Sequence, residues 1–320
     1  MKAIARANSN IAFVKYWGNA DDALNIPANS SLSMTLDGLY AICAVEFERL
    51  EKDEISVHGM AAPEGMAAAV SAHLDLVRKM SKRALPAKVE IAFNFPVRCG
   101  LASSAAMFAA LTLAATSAAG LKMDERTLSK LARRGSGSAA RSICSGFVEW
   151  KRGRADAGSF ARTVFPPKHW PLVDVVAIVD TTPKRASSGE GHRAAKTSPL
   201  HRARVAAAEK LVPLAERCIK ERKLDALGPI LESDATMMHA VAGTSAPPLH
   251  YYRPSTLEVI EEVRRLREEE GIPAYFTVDA GPNVHVITLP EHEVAVVNAI
   301  DRIAMETRLA RLGRGATLVE

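Results

Sequence analysis

The chain has 320 residues, of which 48% are hydrophobic and 24% are charged, and its formal net charge is +5. This composition excludes a disordered or fibrous chain, and the length predicts two lobes with sizeable cores. The basic balance indicates anionic partners, but Lys and Arg alternate with Asp and Glu and no aromatic-rich basic strand occurs, so nucleic acid is not expected among them.

Targeting and redox signals are sparse. The first ten residues contain no apolar signal core, and no apolar run is long enough to span a bilayer. We therefore expect no membrane partner and a cytoplasmic location. The four cysteines are widely spaced, which predicts reduced thiols rather than a disulfide framework or a zinc site.

The first half of the chain has both strand and helix patterns. Branched and aromatic residues predict strands, whereas apolar-faced and Ala-rich stretches predict helices. The polar segment NIPANSSLS predicts a loop at 25–33. The predicted strands are at 40–47, 89–95, 146–151 and 172–180, and the predicted helices are at 65–82, 105–118 and 124–134.

A change of composition marks the second half. Ser, Thr, Gly, Lys and Arg dominate 181–199, which predicts a loop between an N-terminal lobe, 1–180, and a C-terminal lobe, 181–320. Strands followed by helices that pack on one sheet face indicate an α+β fold. The predicted helices are at 201–221, 224–240, 255–270 and 291–308, and the predicted strands are at 274–278, 284–289 and 316–319.

A small-residue turn, PVRCGLASSAA at 96–106, leads into the Ala-rich helix. Gly100 allows the backbone to approach a ligand closely, and Ser103 and Ser104 fall at the first turn of the helix. The free N–H groups and partial positive charge of a helix N-terminus favour a bound anion. The GK[ST] signature of a P-loop is absent, and a serine cap on a buried helix is the alternative interpretation.

A second small-residue segment, RRGSGSAARS, spans 133–142. It lacks the third glycine of a dinucleotide fingerprint and follows a helix rather than a strand, so we reject that interpretation. Ser136 and Ser138 offer hydroxyl and N–H donors, and Arg141 can bind a carboxylate or phosphate through two nitrogens. A capped helix with a surface arginine is the alternative.

Two charged residues stand at positions that suit catalysis. Asp279 ends an apolar strand and precedes Ala-Gly-Pro, and a carboxylate held rigidly at a strand end suits a general base. Lys15 follows an apolar run in NIAFVKYWGN, and a partly buried ammonium usually has an anionic partner. The alternatives are an aspartate that caps its own turn and a lysine that buries only its stem.

Over nearly its whole length the chain resembles the diphosphomevalonate decarboxylases and their phosphomevalonate-decarboxylating relatives, within the GHMP kinase superfamily. The resemblance rests on six segments in the family's order: NIAFVKYWG, NSSLSMTL, FPVRCGLASSAA, LARRGSGSAARS with FVEW, SSGEGHR and FTVDAGPN. It implies a two-lobed GHMP kinase-like fold of the α+β class, with an N-terminal mixed sheet with helices and a C-terminal ferredoxin-like lobe. It also implies ATP and Mg²⁺ as cofactors and a homodimer.

The resemblance implies a role for each matching residue. Asp279 corresponds to the catalytic carboxylate, Lys15 to the lysine beside it, and Lys184 to a lysine that approaches the nucleotide phosphates. The loop that wraps the ATP phosphates corresponds to Gly100, Leu101, Ala102, Ser103 and Ser104, and Ser103 or Ser104 would also hold Mg²⁺. The substrate-binding positions correspond to Asn10, Tyr16, Asn29, Ser136, Gly137, Ser138 and Arg141.

Two departures from the family pattern bear on the substrate. KYWGN places Asn19 where members that use a diphosphate usually carry Lys or Arg, and loss of a charge-assisted contact costs about 1.5–3 kcal/mol. The SSGEGHR loop is one residue shorter than usual, and its His192 or Arg193 could hold a 5-monophosphate. We therefore expect ATP-dependent decarboxylation of (R)-5-phosphomevalonate to isopentenyl phosphate. The alternatives are a diphosphomevalonate decarboxylase that gives isopentenyl diphosphate and a mevalonate 3-kinase-like enzyme that releases no CO₂.

Overall fold

A computed structural model describes residues 2–82, 84–183 and 186–319. Its strands are β1 (Lys2–Val14), β2 (Asn19–Asp21), β3 (Ile26–Pro27), β4 (Ser31–Phe47), β5 (Glu54–Val57), β6 (Met60–Ala61), β7 (Ala87–Phe93), β8 (Phe147–Trp150), β9 (Ala161–Phe165), β10 (Val173–Ile178), β11 (Tyr275–Val278), β12 (Val284–Thr288), β13 (Glu306–Leu312) and β14 (Thr317–Leu318). Its helices are α1 (Glu64–Ser81), α2 (Ser103–Ala118), α3 (Glu125–Gly135), α4 (Ala139–Ser142), α5 (Ser188–Ala195), α6 (His201–Glu221), α7 (Leu224–Gly243), α8 (Pro254–Glu269) and α9 (Glu293–Ile300).

One mixed sheet connects most of these strands. It runs in the order β11-β12-β10-β13-β4-β7-β5-β6, while β1 pairs with β4 and β14, and β8 pairs with β4 and β9. Only the pairing of β5 with β7 is parallel among the described strands. The sheet and its helices confirm the predicted α+β class. The sheet continues from β4 to β13, and the division into lobes 1–180 and 181–320 stays a prediction.

Helices cover the sheet in two large hydrophobic cores, and a third, smaller cluster forms around Trp17, Met238 and Tyr251. The helix α2 is apolar on nearly every side, as its Ala-rich sequence dictates, and it packs against β1 and β4. The second core packs α8 and α9 against β10, β11 and β12. The helix α7 contacts both β1 and β11, so it touches the two strands whose ends carry the candidate catalytic residues.

The predicted helix at 291–308 is wrong in its second half. The helix α9 ends at Ile300, and residues 306–312 form β13, which pairs with β10 and β4. Pairing with two neighbouring strands overrides the local helical preference of this segment. The prediction also missed β1 as a strand and α5 within the predicted loop at 181–199.

No helix in the described part of the chain is long and apolar enough to cross a membrane. Within the same residues, the four cysteines are free thiols.

Candidate active site

A cavity of about 520 Å³ gathers segments that lie far apart in the sequence. Its walls come from the end of β1, the turn before α2, the segment between α3 and α4, the start of α5 and the turn after β11. The sequence motifs singled out above therefore line the same cavity. Most of the predicted site residues line the cavity: Lys15, Tyr16, Gly100, Ala102, Ser103, Ser104, Ser136, Gly137, Ser138, Arg141, His192 and Asp279.

An ion pair between Lys15 and Asp279 lies at one wall. Lys15 follows the last residue of β1 and is almost fully buried, and Asp279 follows the last residue of β11. The Lys15 Nζ donates to Asp279 Oδ1 at 2.6 Å and to the carbonyl oxygen of Ala12 at 2.8 Å. Two strand ends therefore hold the two charges in place relative to each other.

Each member of this pair changes the protonation of the other. Burial raises the pKa of Asp279, but the Lys15 ammonium and its hydrogen bond, together with smaller contributions from His285 and Arg141, outweigh burial and hold that pKa below the usual 3.8. Burial lowers the pKa of Lys15, and the Asp279 carboxylate offsets part of this effect. At neutral pH Asp279 is therefore ionised and able to accept a proton.

A second cation, Arg141, lines the cavity and is held from behind. Its Nε donates to Asn10 Oδ1 at 3.1 Å, and its Nη1 donates to Ser31 Oγ at 2.8 Å. The amide of Asn10 in turn donates to Ser142 Oγ at 2.8 Å. Burial lowers the pKa of Arg141 to about 10, so the guanidinium stays charged at neutral pH. Asn10 itself is buried and orients Arg141 rather than lining the cavity.

The turn before α2 approaches the turn after β11 at van der Waals distance. Gly100 has a φ of +96°, and a Cβ at this position would lie 2.7 Å from the Cα of Gly281. The side chain of Asn283 also donates to the carbonyl oxygen of Cys99 at 2.9 Å. Glycine at position 100 is therefore required both by the backbone conformation and by the contact.

Gly100→Ala is expected to weaken ATP binding, because the new methyl group must push the two turns apart. Strain of this kind costs about 1–3 kcal/mol, so KM for ATP should rise about 5- to 100-fold. Gly271→Ala is the matched control, since Gly271 also has a positive φ of +68° but no atom within 4 Å of a new Cβ. An unchanged KM for ATP in Gly100→Ala, with a loss of thermal stability equal to that of the control, would contradict this interpretation.

The N-terminus of α2 presents small polar groups to the cavity. Ser104 Oγ lies 3.2 Å from Ser136 Oγ, and Ser103 Oγ accepts a hydrogen bond from the Arg98 N–H at 3.3 Å. The first turn contains no acidic residue, and Ala102 takes a left-handed conformation at the N-cap. Free N–H groups, hydroxyls and a positive helix end together suit a phosphate chain.

Tyr16, Asn19 and His192 form a packed cluster at another wall. The Tyr16 hydroxyl donates to Asn19 Oδ1, and Asn19 Nδ2 donates to Asp22 Oδ1 at 3.0 Å. The His192 ring stacks on Tyr16 with 3.9 Å between centroids, and its Nδ1 accepts the Gly18 N–H at 3.1 Å. The polar atoms of Asn19 thus hold the loop together, and Asn19 is not among the described residues that line the cavity.

Three further predicted site residues are not brought to the cavity surface. Asn29 is buried and donates to the carbonyl oxygen of Lys15 at 2.9 Å. Leu101 is buried, and its carbonyl oxygen accepts from Ser9 Oγ at 2.8 Å. The side chain of Arg193 is exposed on α5. Lys184 lies outside the described residues.

The cavity also contains residues that the sequence did not single out. Arg98 has a positive φ and lies within the turn at 96–106, where it adds a cation to the cavity wall. Ser187 caps α5 and exchanges hydrogen bonds with Glu190. The spacing of Ser187 and Glu190 is that of a capping box, so the start of α5 was detectable in the sequence. No comparable pattern marks Arg98.

Comparison with known proteins gives one consistent family. Residues 7–161 match the family model described as the diphosphomevalonate decarboxylase-like N-terminal domain, and residues 174–315 match the mevalonate 5-diphosphate decarboxylase C-terminal domain. The human diphosphomevalonate decarboxylase is 37% identical over 91% of this chain and 78% of the human protein.

Solved structures show the same fold. A structure of MDDEF in complex with MVAPP, AMPPCP and magnesium is 36% identical, with a TM-score of 0.94 over 100% of this chain and 99% of that chain. A structure of the mevalonate diphosphate decarboxylase from Enterococcus faecalis is 35% identical, with a TM-score of 0.93 over the same shares. These likenesses confirm the predicted GHMP kinase-like fold.

The predicted preference for 5-phosphomevalonate is wrong. The curated relatives are named diphosphomevalonate decarboxylases, and two of the similar solved structures are complexes with MVAPP. The prediction assumed that residue 19 faces the phosphate tail of the substrate, so that Asn19 would leave a charge missing there. In the structure the Asn19 amide is buried and bonded to Tyr16 and Asp22, so its identity does not report on the length of the tail.

Proposed function

Because the chain belongs to the diphosphomevalonate decarboxylase family, we propose that it converts diphosphomevalonate and ATP into isopentenyl diphosphate, CO₂, ADP and phosphate. It is an ATP-dependent decarboxylase that uses Mg²⁺ and takes a phosphorylated mevalonate as substrate. The observation that carries the proposal is the ion pair of Lys15 and Asp279, which lines the same cavity as the phosphate-binding turn before α2.

The geometry supports a defined role for Asp279. An ionised carboxylate in the cavity can accept the proton of the tertiary 3-hydroxyl as its oxygen forms a bond to the γ-phosphorus of ATP and ADP leaves. Lys15 keeps Asp279 ionised before this step, because its ammonium favours the carboxylate form. The 3-hydroxyl, a poor leaving group, thereby becomes a phosphate ester.

The second half of the reaction depends on Arg141. When the C3–O bond breaks, phosphate leaves with the bonding electrons and positive charge develops at C3. The electrons of the bond between C2 and the carboxyl carbon then form the C2–C3 double bond, and CO₂ is released. A guanidinium held by Asn10 and Ser31 can keep the substrate carboxylate aligned for this step.

The residues before and within α2 fit a nucleotide that carries Mg²⁺. Magnesium usually keeps several waters and binds through phosphates and one or two protein oxygens, and the hydroxyls of Ser103 and Ser104 are suitable ligands. Among the described residues, no group of three or more His, Cys, Asp or Glu side chains could hold a metal ion. The cation, when bound, neutralises charge on the phosphates during transfer.

The proposal is tested by incubating the purified protein with ATP, Mg²⁺ and diphosphomevalonate and identifying the products by ³¹P NMR and mass spectrometry. We expect isopentenyl diphosphate, ADP and inorganic phosphate. A parallel reaction with 5-phosphomevalonate measures the specificity. A 3-phosphorylated product that accumulates without an alkene would show a kinase of the mevalonate 3-kinase type and overturn the proposal.

The homodimer implied by the family resemblance and the cytoplasmic location expected from the sequence remain predictions. Light scattering of the purified chain at several concentrations measures the oligomeric state. Cell fractionation measures the location.

A further inference from the structure

A buried ion pair outside the cavity is not used by the reaction described above. Arg204, on α6, and Asp234, on α7, are almost completely buried, and the Arg204 Nη2 donates to both carboxylate oxygens at 3.0 and 3.1 Å. Removing two charges from water carries a large desolvation cost, and such pairs are often no more stabilising than apolar residues of equal size. The contacts of the pair therefore indicate its role better than its burial does.

The remaining hydrogen bonds of the pair converge on the peptide groups of Lys15. Asp234 Oδ2 accepts the Lys15 N–H at 2.6 Å, and Arg204 Nη2 donates to the Lys15 carbonyl oxygen at 2.7 Å. Arg204 Nη1 also donates to Asn29 Oδ1 at 2.7 Å, while Asn29 Nδ2 donates to that same carbonyl oxygen. Lys15 lies just beyond the end of β1, so charged side chains replace the strand partners that its backbone lacks.

We propose that Arg204 and Asp234 are positioning residues that hold the Lys15 backbone so that its ammonium meets Asp279. The proposal rests on the function proposed above, in which that ion pair keeps the base ionised. A lysine side chain has four rotatable bonds, so the position of its ammonium depends on where its backbone is held. The helices α6 and α7 thus affect the cavity through Lys15, which follows the end of β1.

The charge of Asp234 has a second consequence for Lys15. The groups that act on its ammonium are Asp279 after β11, Asp234 on α7 and Arg141 on α4. His239, also on α7, lies close by, and burial lowers its pKa to about 4, so its ring is neutral at pH 7. Asp234 raises the pKa of Lys15 and therefore extends to higher pH the range in which Lys15 is charged.

The direct test is Asp234→Asn, which keeps an oxygen that can accept the Lys15 N–H but removes the charge. We expect kcat for CO₂ release from diphosphomevalonate to fall 10- to 100-fold, with KM for ATP changed less than threefold. The acidic limb of the kcat–pH profile should move to higher pH, because a less well placed Lys15 ammonium no longer holds the pKa of Asp279 as low. Glu232→Gln is the matched control, since Glu232 lies on the same helix and pairs with Arg267 at 3.0 Å. Among the described residues, none of its hydrogen bonds reaches Lys15.

A second variant covers the case in which Asp234→Asn fails to fold. Arg204→Lys keeps the positive charge but lacks the planar guanidinium whose two terminal nitrogens bond Asn29 on one side and Asp234 and Lys15 on the other. We expect kcat to fall about fivefold or more, with the acidic limb again moved to higher pH. If every folded variant keeps kcat and the pH profile of the wild type within twofold and loses only thermal stability, the pair has a structural role and the proposal is overturned. An inactive wild-type protein would instead refute the proposed function, so the two failures are distinguishable.

Discussion

Asp279→Asn is expected to lower the rate of CO₂ release about 10²- to 10⁴-fold, because the amide cannot accept the proton of the 3-hydroxyl. The fold should persist, since Asn has the shape of Asp and the Asp279 side chain is 21% exposed. Binding of ATP should change little, because the turn before α2, which we propose binds the phosphates, is left intact. Stopped assays of CO₂ and isothermal titration with a non-hydrolysable ATP analogue measure the two effects.

Asp180→Asn is the matched control for this substitution. Asp180 also follows a strand of the same sheet, is 19% exposed and pairs with a cation, Arg253, at 3.0 Å. The rate of CO₂ release by Asp180→Asn should stay within a few-fold of that of the wild type. Full CO₂ release by Asp279→Asn would show that another group accepts the proton.

Lys15→Met is expected to make catalysis depend on pH in a new way. In the wild type the pKa of Asp279 lies below 3.8, so the carboxylate is ionised throughout the range from pH 5 to 8. Without the ammonium, burial dominates and the pKa of Asp279 rises. The variant should therefore lose activity as pH falls through the raised pKa and regain part of it as pH rises. At pH 7 we expect kcat to be about 10- to 1000-fold below that of the wild type.

The double variant Lys15→Met with Asp279→Asn provides the control. If Lys15 acts through Asp279, its removal should add little to the loss caused by Asp279→Asn, because the two residues work as a unit. Fully multiplicative losses would mean that Lys15 has a separate task. A Lys15→Met profile parallel to that of the wild type from pH 5 to 8 would contradict the electrostatic explanation.

The sequence predicted the candidate catalytic pair, Lys15 and Asp279, but not the buried pair, Arg204 and Asp234, that bonds to the Lys15 backbone. Lys15 and Asp279 each follow an apolar strand, and the motifs around them made a pairing foreseeable. Arg204 lies in the first turn of α6 and Asp234 in the middle of α7, 30 residues apart in the chain, and no local pattern marks them. Only the packing of α6 and α7 against β1 brings them to the Lys15 backbone.

Two errors have the same physical origin. The segment that forms β13 was predicted as helix because its strand partners, β10 and β4, are distant in sequence. Asn19 was interpreted as a missing phosphate ligand because the sequence does not show that its amide bonds to Tyr16 and Asp22 within the loop. In both cases a tertiary contact decides what a local pattern leaves open.

The measurement closest to the central claim is the ratio of CO₂ to ADP that the wild-type protein forms from diphosphomevalonate. If ionised Asp279 accepts the proton of the 3-hydroxyl and Arg141 holds the substrate carboxylate, one CO₂ should form for each ADP. Formation of ADP with no CO₂, while the phosphorylated alcohol accumulates, would contradict it.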